Sequence, residues 1–240
     1  MKTWKKIILG VSLISLFLGG GLVAWGYSQG GLTDLQNQTK SEQDYVKKEV
    51  KDFNKIDIKS SSYNVLIKNG DVDKATLSYY QKTKNPIDTS VKDGQLTIND
   101  NNSELDSTSN KHINFFGLKD LVRLSTLNKE VRNKTIVITL PKKQTIDFLK
   151  VDLATGNLDL SNSTIKQADI NLNVGDLTFT KMIVSNLKAN LDVGSVDSDH
   201  TLFTNSDLSI AMGDYSGDNL IFNGHNKLDV TSGDIEIALK

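Results

Sequence analysis

The chain has no cysteine and only two prolines. Without a thiol there is no disulfide, thiolate metal site, cysteine nucleophile or lipidated cysteine to consider. Charge of either sign is no better concentrated, since 28 basic residues face 29 acidic ones and the formal net charge is -1. No basic block lies beyond the first residues, so the counterion release that drives nucleic-acid binding has little to act on, and nucleic acid is not expected as a partner. With proline so scarce and 17 glycines present, turns are expected at Gly, Asn and Asp.

One long hydrophobic run does exist. Ile7 to Tyr27 carries no charge, and at 1.5 Å per residue it spans roughly 30 Å, the thickness of a bilayer core. Lys2, Lys5 and Lys6 precede it, which by the positive-inside bias leaves residues 1–6 in the cytoplasm and everything after Tyr27 outside. Trp25 and Tyr27 suit the outer interface. The run exceeds a usual signal-peptide core and no small-residue cleavage site follows it, so an uncleaved signal anchor at 7–27, embedded in the lipid bilayer, is expected in preference to a removed leader. Gly26-Tyr27-Ser28-Gln29-Gly30 matches the G-x-S-x-G nucleophile pattern, but it has neither a strand before it nor a helix after it, and is read as a flexible exit from the membrane.

Residues 28–50 are polar and read as a linker, a stalk or short juxtamembrane helix. From Phe53 the apolar residues fall into period two through Ile56, Ile58, Tyr63, Val65 and Ile67. Further strands are expected at Ala75 to Tyr80 and Gln95 to Ile98, making residues 51–100 a small antiparallel sheet. It belongs to an N-terminal strand-rich cap over 51–149, interrupted by a mobile loop at 99–134. The polar run 99–110 opens that loop, and His112 to Leu127 is read as a short amphipathic helix or an irregular excursion against the sheet. Thr135 to Leu140 is a strong strand that Pro141 ends.

From Lys150 the chain repeats. Gly156, Gly175, Gly194, Gly213 and Gly233 share the pattern apolar-x-apolar-x-x-Gly-x-apolar-x-apolar, as in INLNVGDLTF, with lapses at Ala189, Ser198 and Gly217. The steps are 19, 19, 19 and 20 residues, and a fixed period near twenty marks a stacked repeat. Second apolar clusters lie between the glycines, at Ile165 and Ala168, at Ile183, Val184 and Leu187, at Leu202 and Phe203, and at Leu220 to Phe222. The expected fold is all-β: a parallel β-solenoid or β-roll-like repeat of about 19 residues per coil over 150–240, with a meander of antiparallel hairpins as the alternative.

The strand ending in Leu-Pro at 140–141, the segment Phe148-Leu149-Lys150-Val151-Asp152 and the strand-Gly-Asp-strand units after it resemble the bacterial "putative adhesin" domain family of unknown function, including LiaG-like membrane-anchored proteins. The resemblance covers residues 53–240 and includes the preceding anchor. It implies a β-solenoid-like extracytoplasmic domain, found near envelope-stress regulators, and brings no catalytic residues with it.

The chemistry-bearing residues are sparse. Asp176, Asp214 and Asp234 each follow a repeat glycine and would form a ladder able to hold calcium, but Asn157 and Ser195 interrupt the row and the calcium β-roll nonapeptide is missing. Solvated turn residues are the expectation, with no metal and no cofactor. His112, His200 and His225 lack ligand-spaced partners. Ser198-Asp199-His200 brings together three catalytic residue types, yet neighbours on a strand point opposite ways and cannot converge. A polysaccharide-active β-helix enzyme would use paired carboxylates, but residues 151–240 hold no Arg, no Trp and a single tyrosine, Tyr215.

The reading is therefore a non-enzymatic, single-pass extracytoplasmic β-scaffold of a Gram-positive cell membrane. It would act as an adhesin or envelope-stress accessory that binds an envelope protein or surface polymer. The alternative is a structural stalk that self-associates through its C-terminal edge, because Leu228 to Leu239 forms a last coil with almost no polar cap.

Overall fold

Strand residues at spacing two send alternate side chains inward, and in the computed structural model this alternation builds one column, with nineteen strands among the described residues. The structure describes residues 43–82, 86–100 and 134–239. The chain divides into units at Gln43/Asp44, and the column belongs to the second. Among the described residues no helix is long and apolar enough to cross a membrane; the run at 7–27, the Ser28 motif and the loop containing His112 lie outside them.

In chain order the strands are β1 (Gln43–Glu49), β2 (Lys55–Ser60), β3 (Asn64–Gly70), β4 (Thr76–Lys82), β5 (Asp88–Lys92), β6 (Gln95–Asn99), β7 (Thr135–Pro141), β8 (Thr145–Ile146), β9 (Phe148–Thr155) and β10 (Leu158–Ser161). They continue as β11 (Thr164–Ile165), β12 (Ala168–Val174), β13 (Leu177–Thr180), β14 (Ile183–Val193), β15 (Val196–Asp199), β16 (Leu202–Met212), β17 (Tyr215–Asn223), β18 (Lys227–Ser232) and β19 (Ile235–Leu239).

One face of the column stacks β7, β3, β10, β13, β15, β17 and β19 in parallel. The opposite face stacks β6, β2, β9, β12, β14, β16 and β18, also in parallel. A short third side runs through Thr145, Thr164, Ile183, Leu202 and Ile221. In the repeat, Leu158 lies over Leu177, Leu177 over Val196 and Val196 over Tyr215. Each coil thus sets an aliphatic or aromatic residue on its counterpart, and the buried Ile, Leu, Val and Phe side chains form one continuous core from Val50 to Leu220. At its upper end Phe203 meets Phe179 edge-on at 5.2 Å and stacks on Phe222 at 5.8 Å.

Residues 51–100 are not the antiparallel sheet expected of them. β2, β3 and β6 are parallel members of the column, and only β4 on β7 and β5 on β6 run antiparallel. Period two is common to parallel and antiparallel strands, so it could not decide direction. Residues 43–49, read as linker or helix, are a strand paired with β4, where Tyr45 packs on Tyr80 with ring centroids 4.9 Å apart.

Candidate functional site

The repeat glycines make one corner of the coil. Gly156, Gly175, Gly194, Gly213 and Gly233 all have φ between 143° and 152°, a conformation L side chains avoid. They also stack so closely that a Cβ on Gly194 would stand 1.9 Å from the carbonyl oxygen of Gly175. Glycine is required twice over, once by the bend and once by the coil beneath it.

The residue after each glycine is bound to the next coil. The Asp176 N–H donates to Asn157 Oδ1 at 3.0 Å, the Ser195 N–H to Asp176 Oδ1 at 2.9 Å, the Asp214 N–H to Ser195 Oγ at 3.3 Å, and the Asp234 N–H to Asp214 Oδ1 at 2.9 Å. The row begins one coil lower, where the Asn157 N–H donates to Asn64 Oδ1. Asn, Asp and Ser share a short side chain with an acceptor oxygen, which is why the row tolerates all three. The carboxylates of Asp176 and Asp214, expected to be merely solvated, therefore tie coil to coil. Among the described residues no group of three His, Asp or Glu side chains could hold a metal ion.

The two histidines among the described residues, His200 and His225, share no partner. Ser198 is buried inside the coil, while His200 Nδ1 lies 2.7 Å from Asp199 Oδ1 on the exposed side, so the three residues do not converge. His225 offers its backbone N–H to Asn205 Oδ1.

A second corner went unnoticed in the sequence. Asn162, Lys181, His200 and Asn219 all hold φ near +50° and recur every 19 residues; Asn tolerates this conformation better than most residues, but Lys and His gave no hint of it. Against its lower coils lies a polar cleft of about 290 Å³. Lys142, Lys143 and Gln144 from the turn after β7 line one wall, and Asn162, Ser163, Thr164 and Lys181 the other. Asn69 fixes the floor, donating from Nδ2 to the Lys142 carbonyl at 3.0 Å and accepting from Ser163 Oγ at 2.9 Å. Lys142 pairs with Asp71 at 3.0 Å. Neither Lys143 nor Lys181 makes an ion pair among the described residues, so the cleft is cationic on a domain that is otherwise mildly acidic.

This column, closed by a glycine ladder and running to the last described strand, matches the Toastrack DUF4097 family over residues 53–240. The chain belongs to that family. Solved structures similar to this Toastrack chain include a "putative cell adhesion protein" from Clostridium sporogenes, at 14% identity and TM-score 0.41, covering 82% of this chain and 100% of that one. A "putative adhesin" from Bacteroides fragilis is 18% identical at TM-score 0.37, covering 82% and 97%. Another from Parabacteroides distasonis is 13% identical at TM-score 0.29, covering 83% and 98%. None of the curated proteins compared with the Toastrack chain matches it.

Proposed function

We propose that the chain is a non-enzymatic scaffold, anchored by residues 7–27 in the bacterial cell membrane, that holds an anionic surface polymer against the corner cleft. The observation that carries this reading is the pair of ammonium groups on Lys143 and Lys181, which have no ion-pair partner among the described residues and line a concave, polar cleft. Lysine is a compact cation suited to phosphate or carboxylate groups spaced along a chain. A volume of about 290 Å³ fits one or two charged repeat units better than a folded partner.

The non-enzymatic reading draws support from Asp176 and Asp214, whose carboxylates accept backbone N–H groups of the next coil. The apolar run after Lys2, Lys5 and Lys6 supports an extracytoplasmic setting, and the LiaG-like resemblance suggests service as an accessory to an envelope-stress response.

Full-length protein in nanodiscs, titrated with a poly(glycerol phosphate) and with a polyuronate, tests the reading. Binding should weaken steeply with salt, and Lys143→Gln with Lys181→Gln should reduce affinity about tenfold, since two charge contacts of 0.5–1 kcal/mol each are lost. Equal binding by the double variant, or no binding of either polymer at low salt, overturns it.

A further inference from the structure

The two ends of the column are unlike. At the lower end β1 and β5 fold back over the stack, β5 antiparallel to β6 and β1 paired with β4, itself antiparallel to β7. These outermost strands carry Asp44, Lys47, Lys48 and Glu49, and Asp88 and Lys92. Charged, turned-back edge strands of this kind resist pairing with another chain. At the upper end no strand folds back among the described residues. Among the described residues β19 is registered only against β17, and all five of its residues are exposed. Its inward-directed side chains are laid open, Ile235 being 51%, Ile237 41% and Leu239 67% exposed. Beside them an opening of about 350 Å³ leads into the coil between Phe203, Leu208, Tyr215, Phe222, Leu228 and Ile237.

We infer that this end is the contact surface for a second copy of the same chain, with β19 pairing antiparallel to β19 of its partner. The inference goes beyond the polymer-binding reading and does not depend on it. Self-pairing is written into the strand itself. A two-fold axis through Ile237, its central residue, overlaps all five residues of Ile235–Leu239. Ile235 then faces the partner's Leu239, Ile237 faces the partner's Ile237, and on the outer side Glu236 faces the partner's Ala238. Moving the axis to Glu236 would oppose two carboxylates, and moving it by a single residue in the pairing sum would turn the isoleucines outward. The favoured register thus continues one sheet through both molecules, satisfies the open edge and closes the two coil interiors on each other. A two-fold contact of this kind is closed. The charged lower end offers no matching edge, so growth into fibres is not expected.

Because the chain has no cysteine, a single introduced thiol reports the axis directly. Directly opposed residues of an antiparallel pair have Cα atoms about 4.5–5.5 Å apart, within disulfide range. Full-length protein in detergent should sediment as a dimer, and Ile237→Cys should give a covalent dimer under mild oxidation at least tenfold faster than Asp152→Cys, which lies on the side of the column. Ile237→Lys should weaken the dimer about 100-fold, while leaving the thermal melt within a few degrees of wild type, because the side chain is already half exposed. A wild-type monomer at high concentration overturns the proposal. So does a dimer that survives Ile237→Lys, which would place the contact elsewhere, or Ile237→Cys protein that crosslinks no faster than the control. A monomer whose upper end is covered by a different protein would overturn it as well. The Lys143 and Lys181 measurements are independent of all these outcomes.

Discussion

Asp176 Oδ1 accepts the backbone N–H of Ser195 from the coil above at 2.9 Å. The bond joins two residues 19 positions apart, and its equivalents recur up the same corner, so the polar residue after each glycine carries part of the cohesion between coils. Its contribution is open to measurement by substitution.

Asp176→Ala removes the acceptor and leaves the Ser195 N–H without it, which should lower stability by about 1 kcal/mol. Asp176→Asn keeps an oxygen of the same reach, as Asn157 does naturally one coil below, and should remain close to wild type. Urea denaturation of both variants at neutral pH separates the two cases; if Asn costs as much as Ala, charge is responsible and the hydrogen-bond account fails.

Gly194→Ala should be far more damaging. The new methyl would sit 1.9 Å from the Gly175 carbonyl oxygen, at a φ of 149°, and stacked backbone cannot move aside. A loss of about 3 kcal/mol or more is expected, whereas Gly217→Ala meets first a flexible Leu220 methyl at 2.5 Å and should cost less. Thermal melts of the two variants side by side rank them, and a Gly194→Ala protein as stable as the Gly217→Ala one would refute the stacking argument.

Phe203 meets Phe179 edge-on and stacks on Phe222, joining the three rings in one aromatic cluster. Phe203→Ala should cost about 3–5 kcal/mol as a large buried ring is lost. Phe222→Ala should cost clearly less, because that ring is partly exposed at the upper end. Denaturant midpoints give the comparison.

Asp159 is buried on the face of β10 turned away from the core, 1% exposed, with Oδ1 lacking a hydrogen-bond partner among the described residues. Burial pushes its carboxyl up to about 7, against a smaller opposing pull from Lys68. An acid whose folded value lies above its unfolded value makes folding most favourable while both states are protonated. Stability from this group is therefore fully present below about pH 4 and is lost as pH rises toward and through 7, by at most on the order of 4 kcal/mol. Asp159→Asn should flatten that part of the pH–stability curve and be the more stable protein at pH 8. A wild-type curve with no fall between pH 4 and 8 beyond that of the variant would show that Asp159 stays charged in the fold.

The sequence by itself determined the all-β class, because a strand shows its alternation within a few residues, and it displayed the row of glycines, because a positive φ selects glycine wherever it occurs. The corner formed by Asn162, Lys181, His200 and Asn219 was only half legible, since two of its four residues are not ones that usually mark a left-handed turn. The partners of the acidic row were not legible at all, for the N–H that Asp176 meets belongs to another coil. Tertiary structure alone decided the order of stacking. β2 and β3 lie between β6 and β7 below and β9 and β10 above, so the first coil in the chain is not the first in the column. Alternation tells a strand which face to bury and is silent on which neighbour completes its hydrogen bonds. That choice depends on how well whole coils fit over one another, and it is what brings Asn69 of β3 between Lys142 below and Ser163 above to form the cleft.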